Sequence, residues 1–308
     1  MGTKKNVTII AWEKEEFGMK DITASGYTVE TAYCVGKKKF LMCIRELYFK
    51  LKLPFQALWY NKKLVNKKGT FIIFDAMMNI NFLKWLAQKN PEAKLIFWYW
   101  NKIIEKKVQP EQLKELGYDV WTFNELDKHK YNLKLNDTYY CDSYYNNIDK
   151  FESEYDIVFV GKDKGRMKMI DRLMEENMNL KWYIHITADH FYERWKDRRY
   201  KGNISYKETL ELQGKSKAIL EIVPENSCGL TLRTMDAINQ RKKLITNNPY
   251  VRKKNFYNEN NILIINKETK ASEIEQFMKK EYVEIDSGCI REYLIDSWVE
   301  RFLNEEES

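Results

Sequence analysis

Short apolar runs alternate with stretches of helical periodicity along the first half of the chain. Asn6–Trp12 predicts a first strand. Lys38–Leu51 carries apolar residues at Phe40, Leu41, Ile44, Leu47 and Tyr48, the stripe of a helix that stops before Pro54. Thr70–Phe74 reads as a β-branched and aromatic strand ending in Asp75, Asn79–Lys89 as a helix, and Lys94–Trp100 as a strand ending in Asn101. Pro110–Leu116, with proline in its first turn and Gly117 after it, predicts a short helix, and Tyr118–Phe123 another strand. Strands separated by helices in this way predict a parallel sheet.

The pattern breaks at Asp142–Glu154, a polar and aromatic stretch with no apolar periodicity, which reads as a linker. It then restarts. Strands are expected at Asp156–Val160, Lys181–Ile186, Ala218–Val223, Lys243–Thr246 and Ile262–Ile265, and helices at Met167–Glu176, Ser205–Leu212, Leu232–Gln240, Ser272–Lys280 and Cys289–Leu303. The fold class expected is α/β, with two Rossmann-like domains facing a central cleft. Their bounds are set at 1–145 and 155–285, and residues 286–308 form a terminal helix that crosses back toward the first domain.

Composition narrows this picture. A chain of 308 residues with 44% hydrophobic and 31% charged residues has the make-up of two globular domains, not of a membrane-embedded or low-complexity protein. The five cysteines form no CxxC pair and the three histidines form no HxH or HxxxH pair, so neither a disulfide framework nor a metal site is expected. His185, inside a strand-like run, reads as structural. With no cleavable apolar leader and no long apolar span, the expected compartment is the cytoplasm. The net charge of +7 suits an anionic partner. Lysine pairs and triplets such as Lys37–Lys39 and Lys62–Lys63 read chiefly as solvated surface and secondarily as contacts to anionic headgroups at the inner face of a membrane. The many Trp and Tyr residues fall in strand and helix stripes that core packing explains, so nucleic acid is not an expected partner.

Two segments carry candidate chemistry. In Val158–Arg166 a strand runs into a turn with Gly161, Gly165, Lys162, Lys164 and Arg166 before a helix begins. Bare backbone, helix-end amides and cations together suit a phosphate, although neither the Walker A nor the GxGxxG spacing is present. In Ile219–Ala237 a strand ends in a loop with Glu225 and Gly229, and a helix follows with Thr231, Arg233 and Asp236 at its start. A carboxylate, free amides and a guanidinium on one edge suit a sugar nucleotide. Helix capping is the competing explanation for both acids. Asp75, at the C-terminal end of a strand, is a candidate general base or a helix cap.

These blocks carry a resemblance. Phe74-Asp75-Ala76, Asn90-Pro91, Phe97-Trp98-Tyr99-Trp100-Asn101, Gly229-Leu230-Thr231-Leu232-Arg233, Asp236-Ala237-Ile238 and Lys242–Asn248 resemble GT-B glycosyltransferases of bacterial surface-polysaccharide synthesis, from about residue 70 onward. The resemblance implies metal-independent transfer of a sugar from a nucleotide diphosphate donor, a UDP- or GDP-sugar, to a glycan or lipid-linked acceptor, with no cofactor. It implies that Gly161, Lys164, Arg166, Gly229, Thr231 and Arg233 hold the donor, that Glu225 lies against the transferred sugar, that Asp236 meets the ribose, and that Tyr206 lines the cleft. In retaining members the two acids stand eight positions apart. Here Glu225 and Asp236 are 11 apart and the second is Asp, so retention and inversion stay open. The same features are compatible with a non-catalytic GT-B-like subunit that binds a nucleotide sugar or glycan.

Overall fold

The computed structural model describes residues 6–11, 18–34, 39–75, 78–145, 151–188, 192–224 and 228–304, together with Lys4 and His190. The chain divides into two units, the first running to Asn136 and rejoined by the segment from Val299, the second spanning Asp137–Trp298.

In the first unit the elements are β1 (Val7–Ala11), α1 (Met19–Ala24), β2 (Thr28–Thr31), α2 (Lys39–Lys50), β3 (Thr70–Phe74), α3 (Ile80–Lys89), β4 (Lys94–Tyr99), α4 (Pro110–Glu115), β5 (Asp119–Thr122), α5 (Glu125–Tyr131) and β6 (Lys134–Leu135). The sheet order is β2-β1-β3-β4-β5-β6, with every pairing parallel. Sequences such as Val7-Thr8-Ile9-Ile10-Ala11 are buried along their whole length, as central parallel strands must be when helices cover both faces.

The second unit holds β7 (Tyr155–Gly161), α6 (Met167–Glu176), β8 (Trp182–Thr187), α7 (Glu193–Lys196), β9 (Tyr200–Lys201), α8 (Tyr206–Gly214), β10 (Ser216–Glu221), α9 (Leu232–Asn239), β11 (Lys243–Thr246), β12 (Ile262–Ile264), α10 (Ala271–Lys279), α11 (Ser287–Arg291) and the start of α12 (Ile295–Leu303), which belongs to the first unit from Val299 onward. Its order, β12-β11-β10-β7-β8-β9, is that of a doubly wound dinucleotide-binding sheet. The chain leaves β7 for one side of the sheet and returns at β10 on the other. Ligands of such sheets sit beyond the carboxyl ends of those two central strands. In the first sheet the equivalent reversal lies between β1 and β3.

Two sequence expectations are corrected. Cys289–Leu303 is two helices, because Tyr140 inserts its backbone between them: its N–H donates to the Tyr293 carbonyl at 2.9 Å and its carbonyl accepts from Ile295 N–H at 3.0 Å. Those groups are thereby withdrawn from a continuous helical ladder. The second correction concerns α2, whose apolar stripe does not face the core. Phe40 is 74% and Leu47 56% exposed, whereas Arg45 is 1% exposed, its guanidinium 4.5 Å from the Tyr33 ring centre and hydrogen-bonded to Glu46 at 2.8 Å. Periodicity locates a stripe but not the side on which the domain lies.

The first core is rich in rings. Phe82, on the buried face of α3, lies 5.3 Å from the Tyr60 ring, 5.5 Å from Tyr33 and 6.0 Å from Trp85. Phe82→Ala removes the shared partner and leaves a cavity, and is expected to destabilise the first unit by about 3–5 kcal/mol. The measurement is urea unfolding, read as a lower midpoint at unchanged slope for that unit's transition.

Candidate functional site

The carboxyl end of β7 and the start of α9 meet through Arg233. Thr231 caps α9, its hydroxyl accepting the Arg233 N–H at 3.1 Å. From that first turn the Arg233 side chain reaches the neighbouring strand end. Its Nε and Nη2 donate to the Val160 carbonyl at 3.0 and 2.9 Å, and the guanidinium lies 5.4 Å from the Phe159 ring centre. Gly161 leaves room for this guanidinium, since a Cβ at that position would collide with Nη2 of Arg233 and displace it. Nη1 of Arg233 has no hydrogen-bond partner among the described residues.

Arg166 closes the same corner from the turn after β7. It is buried, its Nη1 donates to the Lys162 carbonyl at 2.9 Å, and its Nε has no acceptor among the described residues. Burial, and then the positive charge of Arg233, lower its pKa to about 10. The turn itself needs two consecutive left-handed residues, Lys164 at φ 46° and Gly165 at φ 79°. Lys164 is exposed at its tip. Asp163 occupies the start of α6, its carboxylate accepting Met167 N–H at 3.2 Å and the Tyr200 hydroxyl at 2.7 Å. One helix-end amide expected for an anion is therefore already engaged.

Within electrostatic reach of both arginines sits a carboxylate that sequence reasoning passed over. Glu221, the last residue of β10, is fully buried. Its carboxylate accepts the hydroxyls of Thr231, Thr234 at 2.8 Å and Thr246. Its charge favours the protonated form of both Arg166 and Arg233. The signal available in the sequence was a lone acid inside the apolar run Ala218–Val223, since burying an ion among aliphatic residues is costly without partners.

Asp236 is buried one turn further along α9. Its carboxylate accepts Tyr145 Oη at 3.1 Å and Gln213 Nε2 at 3.0 Å, and also Tyr206 Oη. Both oxygens expected to face ribose are thus engaged by side chains of the same unit. Tyr206 is tied to this carboxylate and packs edge-on against Tyr144, ring centres 5.1 Å apart. Gly229 is buried, and its carbonyl accepts Asn248 Nδ2 at 2.9 Å, which anchors the loop before α9. Glu225 lies outside the described residues. His185 donates from Nε2 to the Gly202 carbonyl at 2.9 Å, a structural role.

Asp75 belongs to the other unit. It follows β3 at that sheet's reversal and is buried. It pairs with Lys107, while its backbone N–H donates to the Trp98 carbonyl at 3.0 Å and its carbonyl accepts Trp100 Nε1 at 3.2 Å. Burial pushes its pKa up to about 6 despite the opposing Lys107 charge. That value lies where a carboxylate can take up a proton near neutral pH. Among the described residues no group of three or more His, Cys, Asp or Glu is placed to hold a metal ion.

No protein-family model and no curated protein matches the sequence. Among solved structures, sucrose-phosphate synthase from Thermosynechococcus elongatus aligns over 97% of this chain and 97% of its own, with TM-score 0.55 and 9% identity. The fold class, two Rossmann-like α/β domains of GT-B type, is shared with that structure. At 9% identity the likeness extends to the fold alone. D-mandelate dehydrogenase from Rhodotorula graminis aligns over 97% of this chain and 92% of its own at TM-score 0.24 and 10% identity, too low to carry any argument.

The buried acid on α9 makes this GT-B-like unit pH-sensitive in a defined direction. Burial is the main cause that raises the Asp236 pKa from 3.8 to about 6, the three donors opposing it. Between those values the folded protein keeps a proton that the unfolded chain has lost, so the contribution of Asp236 to stability falls as pH rises through that window. Asp236→Asn is expected to remove up to about 1.4 kcal/mol per pH unit of that slope. Chemical denaturation of wild type and variant from pH 4 to pH 6.5 checks it (roughly the interval set by the linkage relation).

Proposed function

We propose that this protein is a metal-independent glycosyltransferase of bacterial surface-polysaccharide synthesis. It takes a UDP- or GDP-sugar in its second unit and passes the sugar to a glycan or lipid-linked acceptor bound by its first. The observation that carries the reading is the convergence of Arg233, Arg166 and the bare backbone of Gly161 at the switch point of a doubly wound sheet. Two guanidiniums with unused N–H groups at that place are suited to a diphosphate, whose charge grows as the sugar departs. They supply the electrostatic stabilisation that a metal provides in other transferases.

In this mechanism Arg233 and Arg166 hold the leaving diphosphate, Lys164 closes over it from the exposed turn, and the charge of Glu221 keeps both arginines protonated. Gly229 and Thr231 shape the loop and first turn that present Arg233. Glu225 keeps the place against the transferred sugar that its sequence position suggests. Asp236, already accepting from Tyr145, Tyr206 and Gln213, acts as a positioning carboxylate on α9 rather than as a ribose ligand. Asp75 takes the proton of the acceptor hydroxyl in an inverting transfer, with Lys107 beside it. The engagement of Asp236 also favours a second reading, a GT-B-like subunit that binds a nucleotide sugar without turning it over. Donor hydrolysis or transfer with acceptor present separates the two.

A thermal-shift screen across UDP-, GDP-, CDP- and ADP-sugars is expected to show one nucleotide class that raises Tm, by mass action on the folded state. Arg233→Ala is expected to abolish that shift. A shift that persists in Arg233→Ala removes the diphosphate assignment. Once a donor and acceptor pair is in hand, kcat/KM should fall below about pH 6 as Asp75 takes up its proton. Asp75→Asn should lower kcat by roughly 10²–10⁴ and erase that acid limb while donor affinity is kept.

A further inference from the structure

The first unit carries an apolar face that none of its described residues covers. On α2 the exposed residues Phe40, Leu41, Ile44 and Leu47 recur at helical spacing, and the stripe continues through Leu51 and Leu53. Beyond Pro54 the chain presents Phe55, 75% exposed, and Leu58, 74% exposed. Single exposed apolar residues are ordinary, but a contiguous set on a helix whose buried position is an arginine is not. Beside it runs a groove of about 760 Å³ lined by Lys52, Leu53, Phe55, Tyr60, Ile80 and Trp85 among others.

The charge around this face identifies its occupant. From Phe40 to Phe74 the chain has seven Lys and Arg against a single acid, Glu46, a net +6 out of +7 for the whole protein. The remaining 45 basic and 44 acidic residues nearly cancel. The one acid is neutralised by Arg45 at 2.8 Å. Lys50, Lys52, Lys62 and Lys63 are exposed and fall among the apolar residues, not apart from them. Lys62 is held there, its ammonium donating to the Ala57 carbonyl at 2.5 Å and lying 5.2 Å from the Trp85 ring centre. A protein partner of mixed charge needs no such segregation. An interface that is apolar inside and uniformly anionic outside does.

We propose that this face of the first unit docks on an anionic lipid bilayer, with α2 and the Phe55–Leu58 turn lying in the plane of the headgroups. Phe40, Leu47, Phe55 and Leu58 enter the acyl boundary, and Lys50, Lys52, Lys62 and Lys63 pair with lipid phosphates. The lysine stems run along the apolar surface while their ammonium groups stay at headgroup level. Such docking places the protein where a lipid-linked acceptor resides, yet it stands on this face alone and needs no sugar nucleotide.

The test is sedimentation of the full chain with vesicles of phosphatidylcholine, alone or mixed with phosphatidylglycerol, without any donor. The protein should pellet with the anionic vesicles and be released in molar salt. Lys50→Gln combined with Lys52→Gln should weaken binding about 30-fold, at roughly a factor of five per basic residue. Phe55→Ser combined with Leu58→Ser should abolish retention, with Tm and any nucleotide-induced Tm shift unchanged, since these residues are exposed. Equal pelleting on neutral vesicles, or no pelleting at all, overturns the proposal. A dimer that the Phe55→Ser, Leu58→Ser pair converts to monomer, with no vesicle binding, assigns the face to a second copy and overturns it as well. Loss of vesicle binding leaves the nucleotide readout intact, so the two readings fail separately.

Discussion

A guanidinium held against bare backbone is the constraint on which the second unit is built. Arg233 leaves the first turn of its helix, lies along the Phe159 ring and binds the Val160 carbonyl near the end of the neighbouring strand through two of its nitrogens. The approach is close enough that a side chain at residue 161 would displace the guanidinium. Glu221 beneath is the counter-charge that makes burial of Arg166 and Arg233 tolerable, and three threonine hydroxyls satisfy that carboxylate in turn. Thr231 joins the two levels, since its hydroxyl donates to Glu221 and accepts from the Arg233 amide. Strand end, helix start and turn are thereby locked at the point where the topology of the sheet reverses.

Much of the fold was legible because parallel strands buried on both faces leave unbroken apolar runs, and crossover helices leave a different period between them. Thr70–Phe74, Met167–Glu176 and Lys243–Thr246 have the bounds that the pattern predicts. What escaped had weak or misleading signals. Thr28–Thr31 is an edge strand with little apolar content, and Lys134–Leu135 is only two residues long. The break after Arg291 is made by Tyr140, distant in sequence and invisible to any local rule. The stripe on Lys39–Lys50 was found correctly, but the side of the helix that meets the core depends on where Tyr33 lies to receive Arg45.

The candidate site left signals of uneven strength in the sequence. Glycine and cations after a strand, and an arginine at the start of a following helix, are chemical signals that survive in sequence, and Gly161, Arg166 and Arg233 come together in the structure. The carboxylates were harder to read, because spacing along the chain does not say which oxygens are already satisfied. Asp236 is consumed by two tyrosines and a glutamine, one of those tyrosines from a segment that reads as linker. Glu221 looked like a strand residue. The first unit shows a complementary division of labour: its buried Asp75 sits at the sheet's reversal, while Lys50, Lys52, Lys62 and Lys63 lie exposed among the apolar residues of an outer face.

The central claim is that the corner formed by Gly161, Arg166 and Arg233 receives the diphosphate of a nucleotide sugar. Hydrogen–deuterium exchange of the full chain, with UDP and GDP added in separate runs, tests it most directly because it reports where the ligand acts and not merely that it binds. The account predicts that one of the two slows exchange in the turn after β7 and in the first turn of α9, and leaves the core of the first unit unchanged. Protection confined to other segments, or none with either nucleotide at saturating concentration, contradicts it.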